Sequence, residues 1–116
     1  MKLYRIAQSE MVVDNRKLGK SLFELGYKTS VPIYRAQNAN SANIVDKDYV
    51  TLSYQFAIGH AKHMAACKNE DFIVVRARVP PKNVFEAYNP GEYFYSGPMV
   101  IAKELKRFTA EEFGLD

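Results

Sequence analysis

Between Asp71 and Val79 the chain reads DFIVVRARV, in which Val75, Ala77 and Val79 alternate with Arg76 and Arg78. That is the period of a strand with one apolar and one polar face. VPIYRA (31–36) and DYVTLS (48–53) share the bias toward branched and aromatic residues and predict two more strands, with Pro32 at a start or an edge. KLYRIA (2–7) predicts another, first in chain order. At Ser53 the period changes. Phe56, Ala57, His60, Ala61 and Met64 recur at helical spacing to about Cys67, with Ser53 or Thr51 as the cap. On this face His60 is expected to be a buried, hydrogen-bonded core histidine.

A shorter helix is predicted behind Asp14, through NRKLGKSLFEL to Gly26, with Leu18, Leu22, Phe23 and Leu25 on one side. QNANSAN is a polar loop whose Asn and Ser side chains favour local backbone bonds. VFEAY predicts a short strand, NPG a turn and EYFYSG a further strand. The tail AKELKRFTAEEFG predicts a terminal helix anchored by Leu105 and Phe108. Strands interleaved with two or three short helices define an α+β fold with a mostly antiparallel sheet. At 116 residues the chain is expected to form one domain, 1–116.

Composition narrows the class. Hydrophobic residues at 47% and charged residues at 25% describe a globular chain, not a disordered one. The net charge of +3 is spread along the sequence, so it tolerates a nucleic-acid partner without arguing for one. The opening residues lack an apolar core of signal-peptide length, and nowhere do 18 apolar residues run together; a soluble cytoplasmic protein without a membrane partner is the expectation. The single cysteine, Cys67, suits a reducing compartment and reads as a structural or incidental thiol. His60 and His63 form an HxxH pair with no third ligand in view, so no metal is expected.

Three polar pieces stand in order: Arg35 ending a strand, Thr51 and Ser53 ending the next, and Glu92 opening a late one in NPGEYFYSGP. This order, with RA, DYVT, YQFAIGH and a final EY around the valine-rich strand, resembles the ADP-ribosyltransferase superfamily, in particular its small bacterial and phage members. The resemblance runs over about residues 31–98. It implies an ADP-ribosyltransferase-like split of antiparallel β-sheets, NAD as co-substrate without a metal, and transfer of ADP-ribose to a macromolecular acceptor, a protein side chain or a nucleic-acid base. Hydrolysis of NAD on the same scaffold is the variant of that reading. Glu92 is then the catalytic carboxylate. Arg35, with Ala36 beside it, is the NAD arginine; Thr51 and Ser53 hold the ribose or the Glu92 rotamer; Tyr54 or Phe56 stacks on nicotinamide; and His60, on the following helix, is counted with these NAD-binding residues.

The chemistry suits these residue types. Cleaving the nicotinamide–ribose bond builds an oxocarbenium-like centre, which a carboxylate beside the sugar stabilises. A pyrophosphate is matched by the planar, permanently charged fork of arginine. The sequence departs from the arginine-modifying toxins: where they carry two glutamates as ExE, Gly91 precedes Glu92 and Pro90 stands two before it, which argues against arginine as acceptor. Lys47-Asp48 stands where the resemblance leads one to expect Gly-Asp. Glu86 is the competing acid, and Arg5 the competing arginine. Two other classes stand beside the enzyme: a non-catalytic binding module that keeps the fold, and an RNA-contacting basic edge of Arg76, Arg78 and Lys82 with aromatic support from EYFY.

Overall fold

The computed structural model describes residues 19–114. The predicted strand over residues 2–7, Arg5, and the start of the first predicted helix with Asp14 and Leu18 lie outside them. The described chain is α+β, with three small antiparallel sheets and two helices. The largest sheet has strand order β1-β4-β8, from β1 (Val31–Asn38), β4 (Phe72–Val79) and β8 (Lys103–Phe108). β2 (Asn43–Ile44) pairs with β7 (Val100–Ile101). The third sheet runs β3 (Tyr49–Val50), β6 (Tyr93–Tyr95), β5 (Val84–Glu86). A 3-10 turn at Pro81–Asn83 leads into β5.

β4 is central because both its faces are apolar at its start. Ile73 and Val75 point into a core with Leu22, Ile33, Ile44, Val50, Val84 and Tyr95. Phe72 and Val74 point the other way, beneath a second core formed with the long helix and Phe108. A strand covered on both sides reads as a continuous apolar run, which FIVV is. Its register with β1 is unbroken from Val31↔Val79 to Asn38↔Phe72.

The helix α1 spans Tyr54–Lys68. Ser53 caps it, its side chain accepting from the Phe56 N–H at 3.1 Å, and Asn69 closes it in the left-handed region at φ 54°. Ala57, Ala61 and Ala65 are its buried residues, at a spacing of four. Alanines on that stripe let the helix backbone approach β1 and β4 closely. This corrects two expectations: Phe56 is 55% exposed, and His60 stands exposed at the helix edge instead of in the core. The stripe that faces the sheet lies one residue further round the helix than the larger side chains suggested.

The predicted helix ending at Gly26 is, in its described part, one turn. Ser21 and Glu24 cap it reciprocally, the Ser21 N–H donating to Glu24 Oε1 at 2.8 Å and the Glu24 N–H to Ser21 Oγ at 3.1 Å. Leu22 is fully buried, while Phe23 and Leu25 are exposed. The backbone around Ser21 bridges to Phe85 instead of continuing as a helix. The tail departs further. KELKRF is strand β8, paired with β4 from Phe72↔Phe108 to Arg76↔Lys103 across a bulge at Val74/Val75. Only Ala110–Phe113 is helical, as α2. Lys, Glu and Leu favour a helix, but β4 presents an open edge on that side, and its ladder satisfies more backbone than an isolated turn would.

Candidate functional site

Among the described residues β1 is an edge strand, and the third sheet reaches it through one residue pair. Tyr34 and Thr51 exchange backbone hydrogen bonds, the Tyr34 N–H to Thr51 O at 2.8 Å and the Thr51 N–H to Tyr34 O at 2.9 Å. At this seam, with α1 on one side, lies a pocket of about 100 Å³. Arg35, Ala36, Thr51, Phe56, His60 and Glu92 all line it. Residues 57 positions apart in the chain, Arg35 and Glu92, thus border one hollow. Ser53 and Tyr54 do not line it.

Each side chain is placed by local chemistry. Arg35 Nε donates to Gln37 Oε1 at 2.9 Å and Nη1 to the Tyr49 carbonyl at 2.8 Å. Asp48 Oδ2 lies 3.5 Å from Nε and also accepts from the Val45 N–H. The guanidinium is held across β1 and β3, while Nη2 has no acceptor among the described residues. A planar fork so held keeps its outer edge for an anion.

Glu92 leaves a tight turn. The Glu92 N–H donates to the Asn89 carbonyl at 3.1 Å, and Gly91 takes φ 82°, with Pro90 before it. That is the type II pattern, in which only glycine takes the third position freely. Asn89 Nδ2 donates to Glu92 Oε1 at 3.1 Å, orienting the carboxylate. Beside it, burial foremost and then the charges of Tyr27 and Glu86 push the Tyr93 hydroxyl pKa up, so that group stays protonated at neutral pH.

The hydroxyl pair is engaged locally. Thr51 is buried and its Oγ1 accepts from the Ser53 N–H at 3.1 Å, while Ser53 Oγ is the α1 cap. They do not share a strand face, because the strand ends at Val50 and the chain has turned by Ser53. The Tyr54 ring lies against Tyr34, centroids 5.7 Å apart. Glu86, the competing acid, accepts from the Lys20 N–H at 3.3 Å and borders a separate hollow, which Glu92 shares from its other side. Lys47 adopts φ 76°, the backbone that glycine takes without strain, at the position where the resemblance leads one to expect Gly.

Sequence reasoning missed Tyr34, Tyr49, Val50 and Ala57 as lining residues. Tyr34 and Tyr49 precede the RA and VT motifs directly, which was the available signal; in the structure Tyr49 is half-exposed, its ring tilted against Phe94 with centroids 4.5 Å apart. Among the described residues no three His, Cys, Asp or Glu side chains gather as metal ligands, and no helix is long and apolar enough to cross a membrane. Cys67 is exposed, its Sγ 3.5 Å from His63 Nε2 one turn earlier. No protein-family model, curated protein or solved structure matches the chain.

Proposed function

We propose that the chain is an ADP-ribosyltransferase-like domain that cleaves NAD and transfers ADP-ribose to a macromolecular acceptor, or to water as a glycohydrolase. The supporting observation is the convergence of Arg35, Thr51, Phe56 and Glu92 on one pocket at the seam between two sheets. A hollow of about 100 Å³ takes a single ring, so nicotinamide would enter it and the ribose with the remaining nucleotide would lie along the open side. Arg35 offers the outer edge of its guanidinium to the pyrophosphate. Phe56, exposed at the rim, offers a face to the nicotinamide ring.

In the reaction the C1′–N bond breaks, its electron pair leaves on nicotinamide, and the new bond forms from C1′ to the acceptor oxygen or nitrogen. The acceptor proton is released to a carboxylate or to solvent. Glu92 accepts from the ribose 2′-hydroxyl and faces the developing positive charge, an interaction stronger in the transition state than in the bound substrate. Thr51, already accepting from the backbone, shapes the wall instead of supplying an acid.

The test is nicotinamide release from labelled NAD, with and without cell extract. Glu92→Gln keeps the side-chain shape and should lower turnover by about a hundredfold or more. NAD at a hundred times its dissociation constant should stabilise both proteins by about 2.7 kcal/mol. Stabilisation without turnover in the wild type would favour the non-catalytic binding module; neither effect would remove the NAD reading altogether.

A further inference from the structure

Beside the pocket, the α1 side of the largest sheet carries a row of polar residues along its neighbouring strands. Tyr34 of β1 pairs with Arg76 of β4, and Arg76 pairs with Lys103 of β8. Arg78 follows two residues on, over the same face, beside Pro32. Phe72 and Val74 begin this face under the helix, and Arg76 and Arg78 continue it along the strand. Arg78 and Lys103 are exposed and Arg76 is half-buried.

Like charges directly opposed on neighbouring strands weaken a sheet. Here Arg76 and Lys103 are so opposed, and among the described residues no carboxylate lies within ion-pair distance of Arg76, Arg78 or Lys103. The Arg78 guanidinium is held by neutral partners, Nε donating to Ser30 Oγ at 3.3 Å and Nη2 to the Ser30 carbonyl at 3.1 Å. Strand positions set the Cα atoms of these residues about 5 Å apart across strands and about 7 Å apart along one. Beside them stands the tilted Tyr34–Tyr54 ring pair.

We propose that this row binds single-stranded nucleic acid, phosphates against Arg76, Arg78 and Lys103 and a base against the tyrosine pair. Unneutralised cations projecting from neighbouring strand positions fit an anionic polymer, and an adjacent aromatic pair fits one whose anionic units each carry a flat ring. An acidic peptide would answer the charge and leave the rings without a counterpart. A duplex keeps its bases stacked inside and offers the rings nothing. The surface shares Tyr34 with the pocket, so a bound strand would pass the mouth of that hollow. The inference does not depend on NAD cleavage.

Fluorescence anisotropy with a labelled oligothymidylate of about 12 nucleotides tests it. Three phosphate contacts predict a slope of log K against log salt near −2, about a twentyfold loss between roughly 50 and 200 mM. The triple variant Arg76→Gln, Arg78→Gln, Lys103→Gln should lose binding and flatten the slope while keeping its melting temperature, since it relieves repulsion. Lys103→Gln alone, at the sheet edge, should weaken binding and reduce the slope by about 0.7. Salt-independent binding, wild-type affinity in the triple variant, or equal affinity for polyglutamate or for a duplex of the same length would each overturn the proposal.

Discussion

Two glycine-to-alanine substitutions should have opposite signs, and backbone geometry alone decides which is which. A Cβ built on Gly91 or on Gly59 meets no atom of the described residues within 4 Å, so neither change clashes with them. Gly59 lies in α1 at an exposed position, where alanine is the better helix former by about 1 kcal/mol. Gly91 sits at φ 82°, where an L side chain costs about 1–2 kcal/mol, offset in part by the smaller unfolded-state entropy of alanine. The expected outcomes are a gain of about 1 kcal/mol for Gly59→Ala and a loss of about 1 kcal/mol for Gly91→Ala. In a domain of this size that separates the two melting temperatures by about 8 °C. Thermal and urea denaturation followed by circular dichroism would read the difference. Because Gly91 sets the turn that presents Glu92, Gly91→Ala should also lower any NAD turnover under conditions where the variant is fully folded. A neutral or stabilising Gly91→Ala would refute the turn geometry and, with it, the account of how the carboxylate reaches the pocket.

Lys47→Gly should stabilise the fold by about 0.5 kcal/mol, the left-handed strain at φ 76° outweighing the added chain entropy, as measured by the urea midpoint. Tyr95 is buried and its hydroxyl donates to the Pro98 carbonyl at 2.6 Å, with burial, above all, pushing its pKa upward from 10.0. A raised pKa in the folded state means stability is intact below the unfolded value and falls as pH climbs through the folded one, so the protein should weaken above about pH 10. Tyr95→Phe should cost about 1 kcal/mol at neutral pH and flatten part of that alkaline loss, read from melting curves at stepped pH.

How far the sequence foretold this molecule differs by element. FIVV followed by RAR announced β4 because a two-sided apolar run and then alternation leave little choice, and VPIYRA was legible by the same branched and aromatic bias. α1 was legible in its extent but not in its rotation. Alanine carries little hydrophobic weight, so Phe56, His60 and Met64 outvoted Ala57, Ala61 and Ala65, although close packing against a sheet selects the small side chains. The tail was illegible locally: Leu105 and Phe108 fit a helical spacing, and only the open edge of β4 makes KELKRF a strand. At the pocket, Arg35 and Glu92 were singled out by the resemblance that their order carries, but nothing in their spacing fixed that they would face one hollow. That depends on the Tyr34–Thr51 bridge and on the Gly91 turn, both tertiary facts. Thr51 and Ser53 were noticed for the right corner, yet their hydroxyls serve the strand-to-helix transition itself.

The bridge between Tyr34 and Thr51 has a mechanical meaning. Two backbone amide contacts, with the Arg35 side chain reaching the Tyr49 carbonyl, stitch the edge of the large sheet to the neighbouring strand, and the cleft straddles that stitch. Any occupant that grips both banks becomes a further fastener, so ligation and the stiffness of this joint rise and fall together.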